Sequence, residues 1–452
     1  MARKIAFEVL RRVEEEGAYA SDLLHAELGA GVRAEDAGLA IELVLGVLRW
    51  RRLLDFLLAR QLKKPVARLD LAVALASRMG LYQLRFLERV PARAAVNESV
   101  ELVKRARKTS AATLVNAVLR RAAGEARTAA AELLPAEISG AERLGILHSH
   151  PTWMVDRWVE RFGEARAVGL LEANNRAPRL SCALHDLSRR EEIFDGLQAV
   201  GLRVEAGRIM RSAFGVSGGS VTRTPAFRDG LISIQDEASQ VVPLLVGVRE
   251  GERVLDMCAA PGGKTAALAR AAGAAGLVVA ADLHAHRLRA MREQFARLGL
   301  SAVRLVELDA SRALPFGMTF DRILVDAPCS GTGTLGRHPE IRWRLKVEAL
   351  AEFHALQTSL VKSGLERLAP GGQLVYSTCS LEAEENELVV EEVLRSVPGL
   401  RLVPVRDLVG ALRGKLVAGM AARSLFDGEG DFRTLPGEWE ADGFFAAGFV
   451  RE

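Results

Sequence analysis

The 452-residue sequence predicts a multidomain chain: an all-α bundle first, a small α/β module next, and a doubly wound α/β domain last. Three observations carry that expectation. Residues 1 to about 125 set apolar side chains at helical spacing, as in Ile5, Val9, Leu10 and Val13 and again in Leu39, Leu43, Val44, Val47 and Leu48. From Gly230 onward, strand-like and helix-like stretches alternate, the pattern of a parallel sheet covered on both faces. Successive strand candidates there end in aspartate, at the rim where open α/β sheets bind ligands.

A hydrophobic content of 49% is ample for several cores. No apolar run reaches the length of a membrane span, so no membrane partner is expected. The N-terminus lacks a long apolar core and turns acidic at Glu14-Glu15-Glu16, so no secretory signal is expected there. The four cysteines, Cys182, Cys258, Cys329 and Cys379, make neither a disulfide framework nor a zinc spacing. A reducing cytoplasm and no metal are the expectation. The net charge of +4 only hints at a polyanionic partner. Just nine of the 61 basic residues are lysine; arginine suits phosphate and base contacts, and a compositionally biased genome produces the same excess.

Within the helical region, basic residues cluster at Arg49-Trp50-Arg51-Arg52, Lys63-Lys64, Lys104 to Lys108 and Arg120-Arg121. Such clusters suit an RNA backbone, and a solvated charged face is their ordinary alternative. Four pieces, Arg78-Met79-Gly80-Leu81-Tyr82-Gln83-Leu84, Val90-Pro91, Val96 to Leu102 and Leu114 to Arg120, resemble the RNA-binding antitermination factor NusB in order and spacing. The resemblance implies a compact helical bundle that binds RNA, over residues 1–140 including an Ala/Glu-rich, partly helical linker from about 122 to 145.

Residues 145–232 read as a small α/β RNA-binding module. Its helix runs from near Pro151 through Phe162 and Leu170-Leu171, and short strands follow at 180–184 and 201–204. His148 and His150 lack further ligands at useful spacing, so capping and surface roles are expected of them. Cys182, on a strand-like piece, reads as a small buried hydrophobe.

The last region, 233–452, turns on Asp256-Met257-Cys258-Ala259-Ala260-Pro261-Gly262-Gly263-Lys264-Thr265. Val254-Leu255 before it and Ala266 to Ala269 after it make a strand, a tight turn and a helix start, where free N–H groups and bare backbone can meet a ligand. It is not a phosphate loop, because Cys258 stands where that motif needs a glycine, and its adjacent glycines do not fit G-x-G-x-x-G. Both failures weigh against a nucleotide hydrolase.

Strands are expected at 253–257, 277–282, 303–309, 322–326 and 373–377, with one more at 444–450 as an edge hairpin partner. The first four end in Asp256, Asp282, Asp309 and Asp326, and the fifth runs into Thr378-Cys379. An acid at the end of the second strand is placed to accept ribose hydroxyls. Asp326-Ala327-Pro328-Cys329-Ser330 and Tyr376-Ser377-Thr378-Cys379-Ser380 follow strands that are neighbours in such a sheet. Two thiols and an acid then face one pocket with the glycine turn. Nearby N–H groups and a helix start are expected to lower a thiol pKa and make a nucleophile.

These motifs together resemble the S-adenosylmethionine-dependent RNA 5-methylcytosine methyltransferases, over about 145 to 452. Gly333 to Ile341, and Leu435-Pro436 with Asp442-Gly443-Phe444-Phe445, also fit. Gly437-Glu438-Trp439 stands where relatives tend to carry a histidine. With the NusB-like front, the bacterial enzymes acting on small-subunit (16S) rRNA are the nearest resemblance. It implies a Rossmann-like class I methyltransferase domain over 233–452, S-adenosyl-L-methionine as cofactor, and a single-stranded or flipped-out cytosine as substrate of a cytoplasmic monomer.

The resemblance further implies Cys379 as the nucleophile that adds to cytosine C6, Cys329 as a second thiol assisting release, Asp326 at the N3/N4 edge, and Lys264 beside the same pocket. The turn Cys258, Ala259, Ala260, Pro261, Gly262, Gly263 and Lys264 would cradle the methionine end of the cofactor, with Cys258 itself a small packed residue. Asp282 would hold the ribose, Arg287 support Asp282, and Asp309 lie by the adenine, with Asp326 also in the cofactor site. The same chemistry on another RNA, and a non-catalytic NusB-like RNA scaffold, are the alternatives. Retention of both cysteines and all four aspartates argues against the scaffold.

Overall fold

The computed structural model describes residues 1–29, 31–62 and 65–451. The Lys63-Lys64 cluster lies outside the described residues. Contacts divide the chain into two units, Met1–Ala177 with Leu335–Leu345, and Pro178–Thr334 with Lys346–Glu452. The first boundary falls inside residues 145–232: the helices Thr152–Phe162 and Glu164–Asn174 belong to the first unit, and the strands that follow belong to the second.

In the first unit the helices Ala2–Glu16, Ala34–Arg49, Arg51–Gln61, Leu71–Phe86, Ala92–Arg105 and Ala112–Glu125 bury one apolar stripe each, meeting at Leu10, Leu43, Leu54, Met79, Val103 and Leu119. Helix Leu71–Phe86 runs through the middle and is buried without interruption from Val73 to Leu84. It starts where the Asp70 side chain accepts from Ala72 N. Gly80 at its centre is a packing requirement, since a Cβ there would lie 2.4 Å from Leu119 Cδ1.

The basic cluster at 49–52 is turned inward rather than toward a phosphate backbone. Arg49 donates to Gly336 O at 3.0 Å, Arg52 to His150 O and Thr152 Oγ1, and Arg51 pairs with Glu14 at 2.8 Å. Their partners are loop carbonyls, a hydroxyl and a carboxylate of the same unit, which the guanidinium groups satisfy in the interior. Fully buried Arg342, on the segment Leu335–Leu345, serves the same end, donating to Arg49 O, Ser149 O and Asn174 O at 3.0–3.2 Å. His150 is likewise interior, not a surface or capping residue: its ring lies 5.8 Å from that of Trp158, and burial holds its pKa well below the usual value.

The second unit holds two sheets. Strands β1 (Leu180–Leu184), β2 (Arg203–Ala206), β3 (Ala213–Ser217) and β4 (Ile232–Ile234) form an antiparallel sheet in the order β2-β3-β1-β4. Helix Arg190–Ala199 covers it, and Ile193 and Leu197 meet Cys182, Phe214 and Ile232. Burial there pushes the Cys182 thiol up to about 12.

The large sheet comprises β5 (Arg253–Asp256), β6 (Leu277–Asp282), β7 (Arg304–Glu307), β8 (Phe320–Asp326), β9 (Leu368–Thr378), β10 (Leu400–Leu402), β11 (Phe432–Thr434) and β12 (Phe444–Arg451). Its order is β10-β12-β9-β8-β5-β6-β7, with β11 paired to β12, and β5 to β9 run parallel. Successive residues feed opposite layers: Val254, Leu324 and Val375 pack on one side, Leu255, Ile323 and Tyr376 on the other. The order reverses at β5, so the turn after it opens at the topological switch point.

β12 is a hairpin partner, antiparallel to β11, but it is not at an edge. It lies between β9 and β10, antiparallel to both. Phe444 and Ala446 enter one layer, Phe445, Ala447 and Phe449 the other, and a strand apolar on both faces belongs inside a sheet.

Candidate active site

β5 ends at Asp256 and the chain turns back through Gly262, whose φ of 101° is in the left-handed region, into helix Gly263–Ala272. Backbone bonds pin the turn to the neighbouring strand ends: Met257 N donates to Leu324 O at 3.0 Å and Ala259 N to Ala281 O at 2.8 Å. Ala260 N reaches the Asp282 carboxylate at 3.3 Å. At the first turn of the helix, Lys264 Nζ lies 2.7 Å from Asp326 Oδ2 and 4.9 Å from the centre of the Phe444 ring. Ser377 Oγ donates to the other Asp326 oxygen at 2.7 Å. Burial alone would lower the Lys264 pKa, but the Asp326 carboxylate outweighs it and the ammonium sits above its usual value. β8 and β9 are adjacent, and beyond their ends Cys329 Sγ and Cys379 Sγ lie 3.2 Å apart.

The expected lowering of a thiol pKa is reversed at Cys329. The Gly331 N–H pulls that way, but the bond to Cys379, burial and the Glu385 carboxylate together hold the thiol well above its usual value. Cys258 is also pushed well up, by burial and then by Asp256, Asp326 and Asp282, and packs at the edge of the layer containing Leu255 and Val325.

Comparison with known sequences bears directly on this rim. A family described as 16S rRNA methyltransferase RsmB/F matches residues 243–450, and the NusB family matches residues 1–124. A Bacillus subtilis (strain 168) protein named probable ribosomal RNA small subunit methyltransferase B is 33% identical over 98% of this chain and 97% of its own length. The chain belongs to the RsmB/F family of 16S rRNA methyltransferases. A family member from Pseudomonas putida, ribosomal RNA small subunit methyltransferase B, is 36% identical over 82% of this chain and 84% of its own. Among solved structures, a methyltransferase homologue from Pyrococcus horikoshii is 32% identical, covering 68% of this chain and 98% of its own, with a TM-score of 0.57. The crystal structure of PH0851 shares the fold over 98% of this chain and 97% of its own, at a TM-score of 0.80 and 24% identity. The family's activity is methyl transfer to small-subunit rRNA, and S-adenosyl-L-methionine is the donor.

The residues at this rim suit that donor. The glycines of the turn sit close to their neighbours: a Cβ on Gly262, already at a φ that disfavours one, would lie 3.0 Å from Phe295 Cε1, and one on Gly263 would lie 3.3 Å from Gln235. Two carboxylates for hydroxyl or amino groups stand at neighbouring strand ends. Asp282, at the end of β6, is oriented by Ala260 N and by His284 N at 3.0 Å. Asp309, just past β7, accepts from Ser311 N and Oγ and pairs with Arg312 at 2.9 Å; the Ser311 bond is the main cause of its lowered pKa. Arg287 does not support Asp282. It is exposed on helix Ala285–Arg297 and makes no ion pair with that carboxylate, which the two backbone N–H groups hold instead. Among the described residues, no group of three or more His, Cys, Asp or Glu is arranged to hold a metal ion.

Asp256 makes the site pH-sensitive. Burial pushes its carboxyl up to about 7, against a pull from the Thr265 hydroxyl at 2.7 Å, and burial does the same to Asp431. Each group holds its proton more tightly folded than unfolded, so each costs nothing below about pH 4 and destabilises the chain increasingly as pH rises to about 7. Changing both to asparagine is expected to shrink the fall in urea midpoint between pH 5 and pH 8. An unchanged or steeper fall contradicts the assignment.

Several neighbours escaped sequence reasoning. Ser377, Phe444 and Thr265 touch expected site residues and lie in motifs that the sequence singled out, but without a role of their own; Glu385, bonded to the residues beside the two cysteines, carried no signal. Glu385 sits in an acidic run that reads as solvated helix surface.

Proposed function

We propose that this chain methylates C5 of a specific cytosine in 16S rRNA through a covalent bond between Cys379 and C6. The observation that carries the reading is the pair of sulfurs 3.2 Å apart beside the Lys264–Asp326 ion pair. C5 of cytosine is a poor nucleophile. Addition of the Cys379 thiolate to C6 makes the ring enamine-like and moves charge toward N3. On the N3/N4 edge Asp326 accepts from the N4 amino group, and the Lys264 ammonium seated on it offsets the charge developing at N3. When bound, S-adenosyl-L-methionine supplies the electrophilic methyl group that C5 accepts. The C5 proton then leaves to a base, its bonding pair restores the C5–C6 double bond, and the Cys379–C6 bond breaks. Cys329, held as a neutral thiol, is on hand to protonate the departing sulfur.

In this reading the turn Cys258 to Lys264 cradles the methionine end of the cofactor, Asp282 holds the ribose and Asp309 lies by the adenine. Residues 1–140 and 145–232 hold the RNA and 233–452 perform the chemistry, with the target cytosine unpaired or flipped out because C6 is inaccessible in a stacked helix. A cytoplasmic monomer fits; among the described residues no helix is long and apolar enough to cross a membrane.

Bisulfite sequencing of 16S rRNA from cells with and without the gene tests the proposal. One protected cytosine that depends on the gene is expected. Identical maps, with a methyl group appearing elsewhere on the RNA, sink it.

A further inference from the structure

The β8–β9 ladder ends at Asp326 and Ser377, before either thiol is reached. Beyond that point two backbone bonds still join the loops, Ala327 N to Ser377 O and Gly333 N to Cys379 O, each at 2.9 Å, and the other ties are made by side chains. Glu385, on the turn before helix Glu387–Ser396, is fully buried behind them. Its Oε2 accepts from Ser330 N at 2.8 Å and from Gln357 Nε2 at 3.0 Å. Its Oε1 accepts from Ser380 Oγ at 2.5 Å and from Ser330 Oγ. Ser330 follows Cys329 and Ser380 follows Cys379, so one carboxylate takes a donor from the residue beside each sulfur. Gln357 also donates to Pro328 O at 2.9 Å, on the other side of Cys329.

We infer that Glu385 is a positioning residue that clamps the two thiol loops together and so sets the spacing of Cys329 and Cys379. The inference rests on the reading of those two cysteines as the reacting pair. Four donors explain how a buried carboxylate is tolerated where an unsatisfied one would be costly. The clamp is asymmetric: two of its four donors are the N–H and hydroxyl of Ser330, against one hydroxyl from Ser380. Its charge also contributes to the raised Cys329 pKa, after the Cys379 bond and burial.

The test uses the full chain with Glu385→Gln, Glu385→Ala, and a Ser330→Ala/Ser380→Ala double variant. Gln is isosteric: with its amide oxygen in the Oε2 place it still accepts from Ser330 N and Gln357, while its nitrogen donates to the two serine hydroxyls instead of accepting from them. It therefore removes the charge and reverses two bonds without leaving a cavity, whereas Ala removes all four. Phenylarsine oxide, which bridges two close thiols, reads the spacing without RNA or cofactor, by intact mass and peptide mapping. The wild-type chain is expected to take one arsenical across Cys329 and Cys379. Glu385→Ala and the serine variant are expected to bridge at least about fivefold more slowly and to lose roughly tenfold to a hundredfold in kcat, with KM for rRNA and cofactor within about twofold, as misplaced reacting groups do, and Glu385→Gln is expected to lie between them and the wild type. Folded variants that bridge and turn over like wild type overturn the inference; if the Glu385 variants do not fold, the serine variant decides it alone. The arsenical result stands apart from the RNA chemistry: wild-type chains that bridge normally but leave C5 unmethylated defeat the cytosine reading, while undisturbed bridging in the variants defeats the clamp.

Discussion

Replacing Cys379 with alanine is expected to abolish methyl transfer, by a factor on the order of a thousand or more, because removing a covalent nucleophile removes the path itself. Replacing Cys329 is expected to do something different. The adduct still forms and the methyl group still arrives, but release slows, so a covalent protein–RNA species accumulates and runs as a retarded band on a denaturing gel. The two sulfurs are 3.2 Å apart, and position alone does not say which one attacks. The trap does: an adduct from Cys379→Ala and none from Cys329→Ala would falsify the assignment and exchange the roles. A second consequence follows from the electrostatics. The bond to Cys379 is the largest cause of the raised Cys329 pKa. In Cys379→Ala that cause is gone, and Cys329 is expected to react with iodoacetamide faster near neutral pH than it does in the wild type.

The loops that carry these thiols show what a sequence can and cannot disclose. The alternation of apolar runs after Gly230 specifies a parallel sheet, and Asp256, Asp282 and Asp326 at strand ends place its ligand rim, because period and chain direction are local properties. The pairing of β8 with β9 makes Cys329 and Cys379 neighbours although 50 residues separate them. Less local features were hidden. β12 reads as one more apolar strand; that it sits inside the sheet depends on which layers its two faces meet. Arg49 and Arg52 look like a phosphate-binding patch until loop carbonyls far along the chain claim them. Arg287 has the right charge near Asp282, but backbone N–H groups already orient that carboxylate. Glu385 was invisible for the same reason: in a run of acids, only burial distinguishes the clamp from the surface.

The second large effect is expected at the Lys264–Asp326 ion pair. Lys264 and Asp326 come from different strand ends and meet at 2.7 Å, with the ammonium over the Phe444 ring and the carboxylate held by Ser377. Removing either partner strands a half-buried charge on the other, which is costly in a way that removing both is not. Asp326→Ala leaves the ammonium without its carboxylate and the base edge without its acceptor. Lys264→Met leaves Asp326 facing Asp256, and since the Asp326 charge already helps to raise the Asp256 pKa, that carboxyl is expected to rise further. Each single change is expected to cost about a hundredfold or more in kcat/KM, the scale set by losing one preorganised electrostatic contact. The double variant is expected to lose far less than the product of the two, because once one charge is gone the other has no partner left to position. A thermodynamic cycle on kcat/KM, with melting temperatures recorded alongside, measures this. Losses that multiply independently mean that Lys264 and Asp326 act on the substrate separately, and the picture of the ammonium working through the carboxylate fails.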